Sequence, residues 1–396
     1  MKKKTPRNWK KIIMMACFAV FNVAIIAFTA INEFKDGGDA SRLEDVELKW
    51  WLIIPALLCF VLAAVAEIYK YYIVMRDTKN FPKNTTEKNK KGKLLTDKQN
   101  AIKISARTVL LGRYYDNVTP AAVGGQPFQI YYMHKKGVKN GYDAVVPLIG
   151  MITDQLGFII IGIISIVVGS LTNAIWSPAI VAVGWIGLLC FALFPVIILA
   201  ATFLPKTTNE IMTLAIKGLA KIRIIKDREK AQKQAEESVV KYAEGIRTVL
   251  KTPGLFMKTM WLGIIYYVAL NSIPFFVLSA FGATIPFFAS FATTVAVSAA
   301  VYFIPTPGNA GAAEGTFYSV FAVLPSAGFV FWAMLVWRLL VYYMWLILGG
   351  VVQLRMFLEG RYLVGDWRKS VSDLEQKVQK ESEKLEKDAD KKKSAE

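Results

Sequence analysis

Long runs of apolar residues, separated by shorter polar and charged segments, dominate the chain. A helix needs about 20 mostly apolar residues to cross a membrane. Six runs reach this length: 11–31, 50–75, 144–169, 178–203, 258–281 and 327–350. A seventh run, 284–304, is interrupted early by Pro286. The pattern therefore predicts an all-α polytopic membrane protein.

The distribution of charge predicts the orientation of these helices. The N-terminal residues 2–11 and the segment 76–103 are basic, whereas the loop 32–49 is rich in acidic residues. Lysine and arginine are enriched in the cytoplasmic loops of membrane proteins. The basic segment 205–257 and the basic residues from Arg355 onward fit the same side. We therefore expect both termini in the cytoplasm.

Two glycine- and proline-rich regions do not fit a continuous span. Seven crossings would leave the termini on opposite sides, so residues 305–325 are expected to add an eighth as a short broken helix. Residues 105–134 have basic flanks on both sides, which indicates a re-entrant segment. We expect about eight crossings plus this re-entrant segment in a transmembrane domain, 1–355, that includes a basic cytoplasmic helical insertion, 205–257. A charged tail, 356–396, follows.

The composition excludes several classes of protein. The chain is 54% hydrophobic yet carries a formal net charge of +18, which a soluble protein rarely combines. Its positive charge lies beside the predicted spans, so it requires no nucleic-acid partner. The only histidine is His134, and the sequence contains no phosphate-binding loop and no cysteine pair with zinc spacing. We expect no cofactor and no metal.

Two breaks in the apolar pattern are the first candidates for a functional site. They read TPAAVGGQPFQ at 119–129 and IPTPGNAGAAEG at 304–315. An unpaired backbone group in hydrocarbon costs several kcal/mol, so such breaks are expected to line a cavity. Interrupted helices are also a sequence indicator of a transport site. The candidate residues are Gly124, Gly125, Gln126, Gln129, Pro305, Pro307, Gly308 and Asn309.

Ionisable residues within apolar runs form the second group of candidates, because they are costly in a membrane and usually functional. Asp154 and the neighbouring Gln155 lie in one span, and Arg338 lies in the last. Glu67 lies in another. Glu314 follows the second break, where the N-terminal end of a short helix favours a carboxylate. The alternative is an ion pair of Arg338 with Glu314 or Asp154 that only fixes helix packing.

Aromatic and cationic residues flank the first break. Arg113 and Tyr115 precede it, where a phosphate-bearing headgroup could be bound. After the break, rings and cations resemble an interfacial belt in contact with phosphates. Plain anchoring is the alternative for its two lysines. The belt consists of Tyr131, Tyr132, Lys135 and Lys136.

Together these features resemble the lysylphosphatidylglycerol synthase transmembrane region, also called the flippase-like family, over about residues 10–355. The resemblance rests on the break at 117–133, the Asp154-Gln155 pair, the P-T-P-G-x-x-G-x-x-E sequence at 305–314, and Arg338. It implies a helical bundle with re-entrant segments. The best-studied members move aminoacylated phospholipids to the outer leaflet and often carry a soluble domain that makes them. Too few residues follow residue 355 for such a domain, so we expect no synthase activity.

We therefore expect a non-enzymatic lipid flippase of the bacterial cytoplasmic membrane. Its substrate would be a phospholipid or glycolipid, with or without an aminoacyl group. A homo-oligomer and a separate lipid-modifying enzyme stay open as further partners. Two alternatives also stay open: a membrane-embedded transferase acting on a lipid-linked headgroup, with Glu314 or Asp154 as general base, and a non-transporting scaffold.

Overall fold

The computed structural model describes residues 48–79, 96–119, 124–138, 142–172, 178–221, 232, 240, 243–302, 304, 306–324 and 330–358. All regular structure in these residues is helical, and no strand occurs among them. Five of the described helices are long and apolar enough to cross a membrane: Trp50–Asp77, Tyr142–Leu171, Pro178–Phe203, Pro253–Ala280 and Val330–Met356. The protein is thus an all-α polytopic membrane protein. The predicted first span, 11–31, lies outside the described residues. Of the predicted tail, 356–396, residues 359–396 also lie outside them.

The helices, in chain order, are α1 Ile53–Asp77, α2 Asp97–Val118, α3 Gly125–Lys135, α4 Tyr142–Leu171, α5 Pro178–Phe203, α6 Pro205–Lys221, α7 Pro253–Ala280, α8 Phe287–Val301, α9 Ala312–Phe321, α10 Val330–Arg338 and α11 Met344–Leu358. A 3-10 turn precedes α1 at Trp50–Leu52, another occupies Pro307–Asn309, and a π-helical turn, Leu339–Tyr343, joins α10 to α11. The chain divides into two units, Met1–Gly349 and Gly350–Glu396. The site lies in the first unit. In the second, the described residues 350–358 belong to α11.

The first unit is a bundle in which α7 packs against both α1 and α4, and α5 packs against α8. An apolar core joins α4, α5 and α8 and includes Phe158, Phe191 and Phe291. Small residues bring the helices close together, as is common in membrane bundles. A Cβ atom on Gly187 would lie only 2.2 Å from the carbonyl oxygen of Ala299. The α5–α8 crossing therefore depends on glycine at this position.

The outer faces of the long helices are apolar and exposed. Leu58 and Leu62 on α1, and Ile186, Leu189 and Ile197 on α5, are all more than half exposed. A soluble monomer rarely exposes so large a contiguous apolar surface. These faces are suited to contact with lipid chains, and the polar residues are left to the interior of the bundle.

The structure shortens one predicted span. Residues 284–304 were expected to cross the membrane, but α8 has only 15 residues, with Pro286 at its N-cap. At 1.5 Å per residue, such a helix is about 22 Å long, below the roughly 30 Å of a hydrocarbon core. The chain then turns through a short loop into α9, which packs against α8. This segment is therefore a pair of short helices around a break.

Around the first break, residues 105–134 also form two helices. A capping box between Thr96 and Gln99 starts α2 at Asp97, before the predicted segment. After the break, α3 packs back against α2. Of the predicted basic insertion, 205–257, the structure describes α6, residues 232 and 240, and residues from 243 onward. On α6, Ile211 and Leu214 are exposed.

Candidate functional site

A cavity of about 250 Å³ lies inside the first unit, between the two breaks. Its walls come from α1 to α5, α7, α8, the second break and the α10–α11 helix. Nine of the candidate residues line it: Glu67, Arg113, Gln126, Gln129, Asp154, Gln155, Gly308, Asn309 and Arg338. The cavity therefore brings together residues that are far apart in the sequence.

Four charged side chains on one side of the cavity form what we call the charge ring: Glu67, Lys70, Arg113 and Asp154. Lys70 Nζ donates to Glu67 Oε2 at 2.5 Å and to Asp154 Oδ1. Arg113 Nη2 donates to Glu67 Oε1 at 3.0 Å and to Asp154 Oδ2 at 3.4 Å. Each carboxylate thus contacts both cations through a different oxygen. The four formal charges sum to zero, which is the condition for keeping them in a buried site.

Arg113 is the most exposed member of the ring. Its side chain is 22% exposed, compared with 0% for Lys70. Both of its ion-pair contacts use Nη2, and its guanidinium lies over the Tyr266 ring, with Cζ 4.6 Å from the ring centroid. Its Nε and Nη1 make no hydrogen bond to a described residue. Arg113 can therefore donate to a ligand in the cavity.

The backbone at the first break is paired by side chains at the end of α2. Gly124 N donates to Thr119 Oγ1 at 2.9 Å, and Gly125 N donates to Asp116 Oδ1 at 2.8 Å. A Cβ on Gly125 would lie 2.2 Å from that carboxylate oxygen. Glycine is therefore needed for this close approach. The α3 N-terminus is held against α2 at the cavity wall, with Asp116 between them.

The two glutamines predicted at this break lie on the cavity wall. Gln129 is buried and accepts a hydrogen bond from the Tyr71 hydroxyl at 3.1 Å. Its amide packs against Gly112, where a Cβ would lie 2.0 Å from Nε2. Gln126, one turn earlier, is half-buried and lines the cavity. Amide groups at this position can bind hydroxyl or phosphate groups of a headgroup.

The second break is organised by an ion pair, the Glu314–Arg338 pair. Arg338 Nε donates to Glu314 Oε1 at 2.6 Å, and Gly311 N donates to Glu314 Oε2 at 2.7 Å. Arg338 Nη2 also donates to Gly308 O at 3.1 Å. This is one of the two pairings that the sequence left open. The other does not form, because Asp154 pairs with Lys70 and Arg113.

The loop of the second break has a left-handed backbone at three positions: Gly308, Asn309 and Gly311. Asn309 has φ of 55°, unusual for a residue with a Cβ but tolerated by asparagine. Pro307 begins the 3-10 turn, and Pro305 lies outside the described residues. Asn309 Oδ1 is buried without a hydrogen-bond partner in the described structure. It lines the cavity and is available to a donor there.

The remaining predicted residues lie away from the cavity lining. Tyr115 stacks on Phe128 with ring centroids 3.5 Å apart. Tyr131 and Tyr132, expected in an interfacial belt, are buried. Near the end of α3, Lys135 donates to the Tyr131 hydroxyl at 3.2 Å, and Lys136 Nζ lies 5.8 Å from the Tyr132 ring centroid. Glu314 is likewise behind the lining, joined to it through Arg338.

Sequence reasoning missed several residues of the site: Lys70, Asp116, Tyr266 and Tyr342. Lys70 lies close to the end of the predicted span 50–75, where a lysine ordinarily extends towards water. Its spacing of three residues from Glu67, within an apolar run, was the available signal. The tyrosines carry no such signal, because aromatic residues are common throughout the spans. No cluster of three or more metal-ligating side chains occurs within the described part of the chain.

A histidine–aspartate contact between α3 and α4 predicts a pH dependence of stability. His134 Nδ1 lies 2.8 Å from Asp143 Oδ2, and this hydrogen bond raises the pKa of His134, although partial burial opposes it. A raised folded-state pKa stabilises the protein below the unfolded value of about 6.5 and ceases to do so as the pH rises through the folded value. Replacing His134 with glutamine should therefore lower the melting temperature at about pH 5.5 and much less at about pH 9.

Thermal unfolding of the detergent-solubilised protein, followed by size-exclusion chromatography, measures this difference. Lys135→Gln is the matched control, because it changes the neighbouring, exposed residue of the same helix. An equal loss of melting temperature for His134→Gln at both pH values would show that the imidazole contributes packing and no charge.

The comparisons with known proteins give one match. The family described as the lysylphosphatidylglycerol synthase TM region matches residues 14–349. No curated protein and no solved structure matches the chain. The match includes both breaks, the charge ring and the Glu314–Arg338 pair.

Proposed function

The chain belongs to the lysylphosphatidylglycerol synthase transmembrane region family, and from this premise we propose that it is a lipid flippase. It moves a phospholipid or glycolipid across the bacterial cytoplasmic membrane, with both of its own termini in the cytoplasm. It forms no covalent bond in the lipid and is not an enzyme. Family membership supports a function connected with membrane lipids, and the cavity supports the finer assignment.

The observation that carries the proposal is a charged cavity inside a bundle with an apolar exterior. Arg113 and Arg338 line it, and each guanidinium lies over a tyrosine ring, Tyr266 and Tyr342 respectively. Arginine in a partly dry site is the preferred residue for binding phosphate groups. Amides from both breaks add neutral donors and acceptors. This set of groups suits a phosphate-bearing headgroup with hydroxyl substituents.

The bundle also allows the acyl chains of the lipid to stay in the membrane during translocation. The cavity lining carries charged and amide groups among apolar ones, whereas the outer faces of α1 and α5 expose leucine and isoleucine. A headgroup can therefore occupy the bundle interior while its tails stay in the bilayer. The two breaks are where the bundle changes conformation, because non-helical backbone beside a cavity lets one group of helices rock against another. The π-helical turn beside Arg338 is a further irregular point on this wall.

Purified protein in liposomes that contain fluorescent phosphatidylglycerol tests the proposal. Dithionite added outside quenches only the outer leaflet, so further quenching measures translocation. We expect the Glu314→Gln/Arg338→Gln double variant to slow translocation at least about tenfold, since a charge-assisted hydrogen bond contributes about 1.5–3 kcal/mol. The double change removes one positive and one negative charge, so the net charge of the protein is unaltered.

The matched control is Arg76→Gln/Asp77→Asn, which removes an ion pair of the same chemistry at the end of α1, away from the cavity lining. It should translocate lipid at the wild-type rate. The proposal fails if wild-type protein, correctly folded in intact vesicles, moves none of a panel of phospholipids and glycolipids. If both double variants move lipid as fast as wild type, the assignment of translocation to this cavity fails.

A further inference from the structure

The charge ring has a property that lipid binding alone does not require: its charge balance depends on Arg113, which lines the cavity. We propose that the ring takes up one proton, on Asp154, when the phosphate of a lipid headgroup draws Arg113 away, so that lipid and proton cross the membrane together. This inference rests on the proposed function for its lipid. It adds a proton-binding site and the energy source of transport.

The charge ring is electrically neutral as the structure holds it. Two carboxylates, Glu67 and Asp154, face two cations, Lys70 and Arg113, with every carboxylate oxygen in contact with a cation. Lys70 is fully buried and lies between the two acids. Removing either cation would leave one uncompensated negative charge in a buried site.

Arg113 is the cation of the ring that a headgroup in the cavity can contact. It lines the cavity, whereas Lys70 does not. Its Nε and Nη1 make no hydrogen bond to any residue the structure describes, so they can bind a phosphate oxygen. A bidentate arginine–phosphate contact is stronger than the 3.4 Å contact that Arg113 makes with Asp154. A bidentate contact uses Nη2 together with Nε or Nη1, and both ring contacts of Arg113 also use Nη2, so a bound phosphate competes with the ring for this nitrogen.

No other cation among the described residues can replace the contact of Arg113 with Asp154. The groups that face Asp154 from neighbouring helices are Glu67, Lys70 and Tyr71 on α1, Arg113 on α2, Tyr266 and Tyr267 on α7, and Tyr302 after α8. Asp116, on the same cavity wall, adds a further carboxylate. Arg338, elsewhere on the cavity wall, is held by Glu314. A buried unpaired carboxylate costs several kcal/mol, so it takes a proton instead.

Asp154, and not Glu67, is the acceptor for a structural reason. Glu67 and Lys70 are three residues apart on α1, so their contact persists however the helices move. Asp154 lies on α4 and holds both of its cations across helix interfaces. Its contact with Arg113 is also longer than that of Glu67, 3.4 Å compared with 3.0 Å. Asp154 therefore loses its compensation first.

An independent observation indicates that the cavity beside Asp154 is built for a polar occupant. Gln155 is 3% exposed, lines the cavity, and its Oε1 has no hydrogen-bond partner among the described residues. A buried amide oxygen without a donor costs about 1–3 kcal/mol. A hydroxyl group of the lipid, or water that enters with it, supplies the missing donor. The same water connects Asp154 to the solvent as a source of protons.

The step balances in atoms and charge. The Asp154 carboxylate and one proton from water become a carboxylic acid, while Arg113 stays protonated and binds the phosphate. A headgroup with one negative charge and the accompanying proton add no net charge to the cavity. Transport of a singly charged lipid should then follow a pH gradient and be insensitive to the membrane potential.

Infrared spectroscopy tests the proton site without any transport. Arg113→Gln removes the cation permanently and so imitates the loaded state. We expect the carbonyl band of a buried protonated carboxylic acid in this variant at neutral pH, its absence in wild type, and its loss in Arg113→Gln/Asp154→Asn. Arg113→Lys, which keeps the charge, should lack the band. Absence of the band in folded Arg113→Gln, or its persistence in the double variant, would overturn the proposal.

A second measurement keeps Arg113 intact, in case its substitution prevents folding. Calorimetric titration of the wild-type protein with dihexanoyl phosphatidylglycerol, in two buffers of different ionisation enthalpy, counts the protons bound per lipid. We expect about one for wild type and none for Asp154→Asn, with Asp77→Asn as the control that keeps the wild-type value. A count near zero in wild type overturns the inference. Lipid translocation with this result would leave the flippase standing, whereas proton uptake without any translocation would refute the flippase and the co-transport and leave only the proton site.

Discussion

Replacing Lys70 with methionine is expected to destabilise the folded protein by about 3–5 kcal/mol, the usual cost of breaking a buried ion pair by removing one partner. Lys70 is fully buried and compensates both Glu67 and Asp154. Methionine has a similar length, so the loss would come from charge and not from a cavity. Arg113 alone cannot balance two carboxylates. Unfolding of the detergent-solubilised protein, followed by intrinsic tryptophan fluorescence, measures the loss.

The control for this prediction restores the charge balance. In Glu67→Gln/Lys70→Met, the ring retains one carboxylate, Asp154, and one cation, Arg113. This double variant should recover at least half of the lost stability, because replacing a buried ion pair as a whole is much less costly than breaking it. If the double variant is as unstable as Lys70→Met, packing of the lysine stem and not charge compensation explains its burial.

Replacing Gly308 with alanine should cost about 2–5 kcal/mol and also reduce lipid translocation. Gly308 has φ of 59°, a left-handed conformation that costs a residue with a Cβ about 1–2 kcal/mol. Its Cβ would lie 2.0 Å from Cε2 of Tyr342, and overpacking of this kind costs about 1–3 kcal/mol more. The ring cannot easily move away, since Tyr342 contacts both Arg338 and the backbone of Asn117.

Gly315→Ala is the matched control, because it makes the same chemical change a few residues later. An added Cβ at Gly315 would meet nothing within 4 Å, and the residue lies inside α9. Alanine there should be neutral or stabilising by about 0.5–1 kcal/mol, because it favours the helix. Melting temperature and dithionite quenching are measured on both variants. Equal effects of the two substitutions would show that the left-handed turn and the Tyr342 contact are not needed at the cavity.

The fold could be predicted to a large extent because hydrophobic length is a local property. The runs 50–75, 144–169, 178–203 and 258–281 correspond to helices long enough to span a membrane. The run 284–304 was expected to cross the membrane after its interruption at Pro286, but α8 ends at Val301, and apolar composition does not reveal this end. Hydropathy alone does not locate a helix end within a uniformly apolar segment.

The sequence predicted several individual residues of the candidate site but not the contacts between them. A break beside an amide, or an acid within an apolar run, is costly in lipid and so is visible in the sequence. Arg113, Asp154 and Arg338 were identified in this way, and all three line the cavity. Lys70 was missed because a lysine near the end of a span can extend its ammonium group into water at little cost in free energy.

Residue order alone was enough to identify a helical membrane protein of the lysylphosphatidylglycerol synthase transmembrane region family, with costly residues at two breaks. The charges that compensate one another became visible in the fold: Asp154 with Lys70 and Arg113, and Glu314 with Arg338. The difference lies in the range of the interactions. Burial in lipid acts on each residue where it stands, whereas ion pairing depends on distances of a few ångströms between helices that the chain connects only through long intervening segments.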